Sequence, residues 1–123
     1  MNSIPYGRQS IDDSDLAAVI STLKSEFLTT GPIMEQFENL LGDYVSSPCV
    51  VVSSGTAALH CAYAAIELNE GDEVITPPMT FIATQSTAAL FGARIVFADV
   101  QGDTGNINPQ AVEAAITTRT KAI

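Results

Sequence analysis

The sequence has 123 residues, enough for one modest core and too few for two domains. Hydrophobic residues make up 46% and charged residues 15%, a balance that excludes a disordered tail, and no apolar run approaches the ~20 residues of a membrane span. Five Lys and Arg against 14 Asp and Glu give a net charge of −9, a surface that repels phosphate backbones at long range and disfavours nucleic acid as a partner. A small anion remains admissible, because a local nest of backbone amides binds phosphate whatever the global charge. Met1-Asn2-Ser3-Ile4-Pro5 lacks the basic region and apolar stretch of a secretory signal, so the expected compartment is the cytoplasm. Cys49 and Cys61 lie in apolar segments outside any metal spacing or Cys-x-x-Cys pattern. They read as reduced, buried thiols.

After a short extended lead, Ser10 or Asp12 can cap a first helix. Its apolar residues, Leu16, Val19, Ile20, Leu23 and Phe27, fall on one stripe. Thr29-Thr30-Gly31-Pro32 halts it. A second helix is predicted from Ile33 to about Val45, with Ile33, Phe37, Leu40, Leu41 and Tyr44 inward. Cys49-Val50-Val51-Val52 then reads as a strand buried on both faces, since its β-branched run does not alternate. Ser53-Ser54-Gly55-Thr56 leads into an alanine-rich helix, Ala57 to Leu68, and Asn69-Glu70-Gly71-Asp72 turns the chain into a second strand, Glu73-Val74-Ile75-Thr76. Pro77-Pro78 precedes a helix from about Thr80 to Phe91, ended by Gly92. A third strand, Arg94 to Ala98, follows. Asp99 to Asn108 is a polar turn region, and Pro109 opens a helix through about Thr117. Thr120-Lys121-Ala122-Ile123 begins another strand. Strands alternating with helices imply an α/β fold with a mostly parallel sheet. So few strands do not complete such a sheet, and the sequence reads as a fragment.

Two places can carry chemistry. Ser54-Gly55-Thr56-Ala57-Ala58 follows a strand and opens a helix, where the first amides have no internal partners and the helix dipole is positive. Glycine lets a ligand approach the backbone and Thr56 adds a hydroxyl donor, which suits phosphate. The pattern matches neither of the two commonest nucleotide motifs, and a plain βα turn, with Gly55 for conformation and Thr56 as cap, is the competing reading. In Thr76-Pro77-Pro78-Met79-Thr80-Phe81-Ile82-Ala83-Thr84, Phe81 falls near the C-terminal end of a strand. That is the edge where open α/β sheets bind ligands, and a ring there can stack on a flat heterocycle or simply join the core. Lone His60 reads as a packed histidine, Asp99 as a turn residue bonding its own backbone, and Lys24 as a solvated lysine. Nothing near Lys121 would make it a nucleophile. Ser53 and Ser54 lack a nucleophile elbow and a second histidine, which argues against serine hydrolysis.

The ordered blocks resemble the DegT/DnrJ-type sugar aminotransferase family of the pyridoxal-phosphate fold-type I superfamily. They are Ile4-Pro5-Tyr6-Gly7, Leu28-Thr29-Thr30-Gly31-Pro32, Phe37-Glu38, Ser54-Gly55-Thr56-Ala57-Ala58-Leu59, Gly71-Asp72-Glu73-Val74-Ile75, Pro78-Met79-Thr80-Phe81-Ile82-Ala83-Thr84, Gly92-Ala93, Phe97-Ala98-Asp99-Val100, Asn106-Ile107-Asn108-Pro109 and the stretch from Ile116 to Ile123. The resemblance implies a three-layer αβα architecture, with residues 1–47 an N-terminal helical segment and residues 48–123 an incomplete large domain that binds pyridoxal phosphate. Similarity is greatest to the branch serving pseudaminic-acid synthesis. That implies transfer of an amino group from glutamate to C4 of a UDP-linked 4-keto-6-deoxy sugar, by an enzyme that is a homodimer when complete. By the same resemblance Gly55, Thr56 and Ala57 would bind the cofactor phosphate and Phe81 would lie against its ring. Tyr6, Glu26, Phe27, Leu28 and Thr29 would line the nucleotide-sugar pocket near a subunit interface. No metal is expected. The family's Schiff-base lysine and the aspartate that pairs with the pyridine nitrogen lie beyond residue 123. Neither Lys121 nor Asp99 matches them, so this stretch alone is expected to have no transaminase activity. A dehydratase relative with histidine in place of that lysine, a non-catalytic phosphate-binding α/β module and a truncated product stay open as alternatives.

Overall fold

The structure, a computed structural model, describes residues 7–123. The chain forms two compact units, divided between Val51 and Val52.

The first unit holds helices α1 (Asp13–Leu23) and α2 (Pro32–Val45). Asp12 caps α1: its Oδ1 accepts from the Ser14 amide at 2.8 Å and the Asp15 amide at 3.2 Å, while Asp15 Oδ2 accepts from the Asp12 amide at 3.0 Å. The hydrogen bond from the Ser14 hydroxyl, with those amides, holds the Asp12 carboxyl below its usual value. The helix ends before Phe27, because Lys24 closes it and Ser25 Oγ donates back to the Thr22 carbonyl at 2.7 Å. Gly31 caps α2 and Pro32 is its first residue. A Cβ on Gly31 would lie 3.0 Å from the Phe27 carbonyl oxygen, a tight contact that a larger residue could make only if the Phe27 backbone gave way slightly.

The apolar stripes are not covered. Leu16, Val19, Ile20, Leu23 and Phe27 are all exposed, as are Ile33, Phe37, Leu40 and Tyr44 of the set expected inward on α2; Leu41 is half-buried. An amphipathic helix hides its stripe only under another apolar layer, and neither α1 nor α2 buries a residue.

The strand expected at 49–52 does not form. Val50 is 83% exposed, and the Val51 amide donates to Glu38 Oε1 at 2.8 Å. A strand exists only opposite a partner, and no strand of the described sheet pairs with this run.

The second unit is built on a parallel sheet of order β2-β1-β3, with β1 (Glu73–Thr76) in the centre, β2 (Arg94–Phe97) and β3 (Thr120–Ala122) outside. All four residues of β1 are buried. Helices α3 (Gly55–Ala65), α4 (Ala83–Ala89) and α5 (Pro109–Ala115) are shorter than their sequence patterns suggest. α4 starts after Phe81, because the chain is still turning there: the Thr84 amide donates to the Phe81 carbonyl at 3.0 Å. It is followed by Gly92 with φ 77, a left-handed position that favours glycine. Tyr63, Leu68, Val74, Ala88 and Ala93 form the core, rimmed by Phe91, Ile95 and Ala122. Successive strand residues point to opposite faces, so Thr76 shares with Val74 the face packed against Tyr63 and Ala88.

At the N-terminal edge of the sheet the Glu73 carboxylate gathers its neighbours. Its Oε1 accepts from Arg119 Nη2 at 2.7 Å and Arg94 Nη1 at 3.3 Å, and its Oε2 from Thr117 Oγ1 at 2.6 Å. The Thr117 hydroxyl and the Arg119 guanidinium hold this carboxyl below its ordinary 4.5 despite its burial. The cysteines depart from expectation. Cys49 is half-buried and Cys61 exposed, both free, since the only residue α3 buries is Tyr63.

Candidate functional site

Ser54 starts α3 by accepting the Ala57 amide on its Oγ at 3.1 Å. Among the described residues the Gly55 and Thr56 amides donate to nothing, so two positive N–H groups face outward at the positive end of an 11-residue helix. Gly55 does not have a positive φ, which removes conformation as the reason for glycine. A Cβ built on it meets nothing within 4 Å. Its missing side chain leaves open space, and that space is a cleft.

The cleft has a volume of about 620 Å3 and is lined by Gly55, Thr56, Ala58, Leu59, Ala62, Phe81, Ala83 and Thr84, within the size range of small-molecule sites. No charged side chain is among them, so the net charge of −9 is not expressed at its walls. Phe81 is 73% exposed; its ring borders the cleft and is not part of the core. Ala57 is not a lining residue, and its amide is the one held by Ser54. The turn carrying Phe81 is tied from both sides: Tyr63 Oη donates to the Thr84 carbonyl at 3.0 Å, and Gln85 Nε2 to the Pro77 carbonyl at 3.2 Å. Burial pushes the Tyr63 phenol up. At the C-terminal end of β1, buried Thr76 Oγ1 finds no hydrogen-bond partner among the described residues.

Sequence reasoning named Gly55, Thr56 and Phe81 as binding residues but not Ala58, Leu59, Ala62, Ala83 or Thr84. The helical members were within reach, since 55, 58, 59 and 62 share one helix face by their spacing of three and four. Thr84 follows only from the approach of a separate segment. The remaining candidates play local parts. Asp99 Oδ1 accepts from the Val100 amide at 2.8 Å. His60 lies 4.8 Å from the Phe91 ring, centroid to centroid. Lys24 and Lys121 are exposed. Of the residues expected to hold a nucleotide sugar, Phe27 and Leu28 border a cavity of about 290 Å3 in the first unit. Glu26 and Thr29 are exposed, and Tyr6 lies outside the described residues. Among the described residues no cluster of His, Cys, Asp or Glu could hold a metal, and no helix is long and apolar enough to cross a membrane.

The chain is similar to several solved structures. Spr1654 from Streptococcus pneumoniae, assigned as a sugar aminotransferase and solved in its PLP-form, is 37% identical with a TM-score of 0.85, over 97% of this chain and 31% of that one. Helicobacter pylori PseC, an aminotransferase involved in the biosynthesis of pseudoaminic acid, is 34% identical with a TM-score of 0.87, over 99% and 33%. The Escherichia coli GDP-4-keto-6-deoxy-D-mannose-3-dehydratase, solved with bound hydrated PLP, is 30% identical with a TM-score of 0.85, over 98% and 33%. The chain thus spans about a third of the length of these relatives. Its α/β fold with a parallel sheet is that of the N-terminal part of a fold-type I aminotransferase. Residues 9–123 match the profile of the DegT/DnrJ/EryC1/StrS aminotransferase family, and the chain belongs to that family.

Proposed function

We propose that this sequence forms the cofactor-gripping part of a pyridoxal-phosphate-dependent enzyme that moves an amino group from glutamate to C4 of a UDP-linked 4-keto-6-deoxy sugar, for cell-surface or flagellar glycans. The observation that carries the reading is the uncharged cleft, which has two free amides at one end and an exposed aromatic ring on its wall. The Gly55 and Thr56 amides and the Thr56 hydroxyl would hold the phosphoryl group, next to the Ala57 amide that Ser54 now caps. Phe81 would cover one face of the ring. When bound, the cofactor supplies the electron sink and the carbonyl that carries nitrogen. Ala58, Leu59 and Ala62 would give it an apolar wall. Neither lysine of the sequence lines the cleft, so proton transfer falls to none of these residues. Alone, the stretch is expected to bind without turnover.

In this reading residues 1–47 form a helical segment that brings Tyr6 and Glu26 to Thr29 to the nucleotide sugar, and residues 48–123 belong to the cofactor domain. The complete enzyme is a cytoplasmic homodimer, and the bare apolar side chains of α1 and α2 fit a protein that covers them with further surface. Similarity to PseC supports the sugar and its pathway. Similarity to the dehydratase supports a second reading, in which the same cleft serves loss of water. The gene read downstream of codon 123 separates the two: lysine at the proton-transferring position favours amination, histidine there favours dehydration.

Titration of the purified protein with pyridoxamine phosphate, followed by cofactor absorbance and fluorescence, tests the grip. Saturable binding that Phe81→Ala weakens by about tenfold, the upper range of an aromatic contact, supports it. Absence of binding, or binding indifferent to that substitution, removes it. Amination of the 4-keto sugar nucleotide above the free-cofactor background would overturn the expected inactivity.

A further inference from the structure

The Phe81 ring is exposed, so core packing does not set its position. Its backbone does, and that backbone belongs to a turn with an external anchor. The Phe81 carbonyl accepts from the Thr84 amide at 3.0 Å, which makes Phe81 and Thr84 opposite ends of one turn. The Thr84 carbonyl accepts from Tyr63 Oη at 3.0 Å, across 21 residues of sequence. Tyr63 is the only buried residue of α3, on the same helix whose first residues offer the free amides. Beside the packing of α3 on α4, the helix that offers the free amides is therefore hydrogen-bonded, through the phenol oxygen, to the turn that carries the aromatic wall. The far end of the segment is held by Gln85, whose Nε2 donates to the Pro77 carbonyl at 3.2 Å.

Resting on the reading of the cleft as the cofactor's place, we infer that Tyr63 is a positioning residue for the ring-binding half of that cleft. Its hydroxyl fixes the turn that presents Phe81 at a set distance from the Gly55 and Thr56 amides, and Gln85 closes the same turn from the other side. Phenylalanine would fill the same core position, so the oxygen serves the tie and not the packing. A ligand with both a phosphoryl group and a flat ring feels this tie. A ligand with a phosphoryl group alone does not.

The test compares pyridoxamine phosphate with inorganic phosphate on the intact protein and on Tyr63→Phe, Phe81→Ala and the double variant, with thermal melts to confirm folding. Tyr63→Phe is expected to weaken pyridoxamine phosphate by about fivefold, the scale of one net hydrogen bond, and to leave phosphate unchanged. In the Phe81→Ala background it should have no further effect, because the ring it positions is gone. Gln85→Met, at a half-buried site, should shift the two ligands in the same pattern and serves in place of Tyr63→Phe if that variant melts early. Equal weakening of both ligands, or a Tyr63→Phe effect that persists without the Phe81 ring, overturns the inference and leaves the cofactor reading standing. No binding of pyridoxamine phosphate by the unaltered protein removes both.

Discussion

Glu73 and Thr76 are the first and last residues of β1, both polar and both buried to within 2% of complete. The first is saturated, accepting hydrogen bonds from Arg94, Arg119 and Thr117. The hydroxyl of the last has no partner among the described residues. Around Glu73 the sheet edge is closed by charge, whereas beyond Thr76 the chain opens into a cleft with free amides and a bare ring. A parallel sheet gathers all its strand beginnings at one edge and all its strand ends at the other. One edge can thus be used to hold the fold while the other is left unsatisfied for a ligand.

The sharpest way to break that division is at Glu73. Glu73→Leu takes away the buried acceptor shared by Arg94, Arg119 and Thr117 and should lower the melting temperature through the lost hydrogen bonds, since both guanidinium groups are more than half exposed and stay hydrated, with cleft affinity falling only as the folded fraction does. A melt close to that of the unaltered protein would mean that the closed edge holds nothing. The same group sets an acid limit. Its folded pKa is lowered, so its contribution is complete above the ordinary value of 4.5 and is lost as pH drops through the lowered value. Urea midpoints measured from pH 6 downward should fall below about 4.5, and in Glu73→Gln the fall over that window should be shallower.

The open edge is next. Gly55→Val places methyl groups in the space now empty and should weaken pyridoxamine phosphate about tenfold or more. Unfolding free energy should stay within about 0.5 kcal/mol, as for other surface changes. Ser54→Ala removes the helix cap and should cost about 1 kcal/mol in a denaturant titration. Thr76→Val should be the smallest effect and of opposite sign, a gain of about 0.5 kcal/mol, since it replaces a desolvated hydroxyl by a methyl of similar shape. A loss of 2 kcal/mol or more there would show that the hydroxyl does have a partner and that the two edges are alike.

Most of the element order was legible in the sequence because it depends on neighbours in the chain. Glu73 to Thr76 and Arg94 to Phe97 are short β-branched or apolar runs bounded by turn residues, and both are strands. Val50-Val51-Val52 has the same local character and is not one, because pairing is decided by segments far along the chain. The period of α1 and α2 told which residues share a side and could not tell whether anything covers them. At the site, Gly55-Thr56 and Phe81 were recognisable as separate motifs. Their meeting in one cleft, the link from Tyr63 to Thr84 and the gathering of Arg94 and Arg119 on Glu73 each join residues more than 20 positions apart, beyond any local pattern.

The strand order β2-β1-β3 has a consequence for handling the protein. Each outer strand is paired on one side only among the described residues, so its other side offers a row of free backbone donors and acceptors, a template on which a further copy can add. Exposed Lys121 on β3 and the mutual repulsion of copies carrying −9 oppose such growth. Salt screens both. Stocks are therefore best kept dilute and at low ionic strength, where margin-to-margin stacking is slowest.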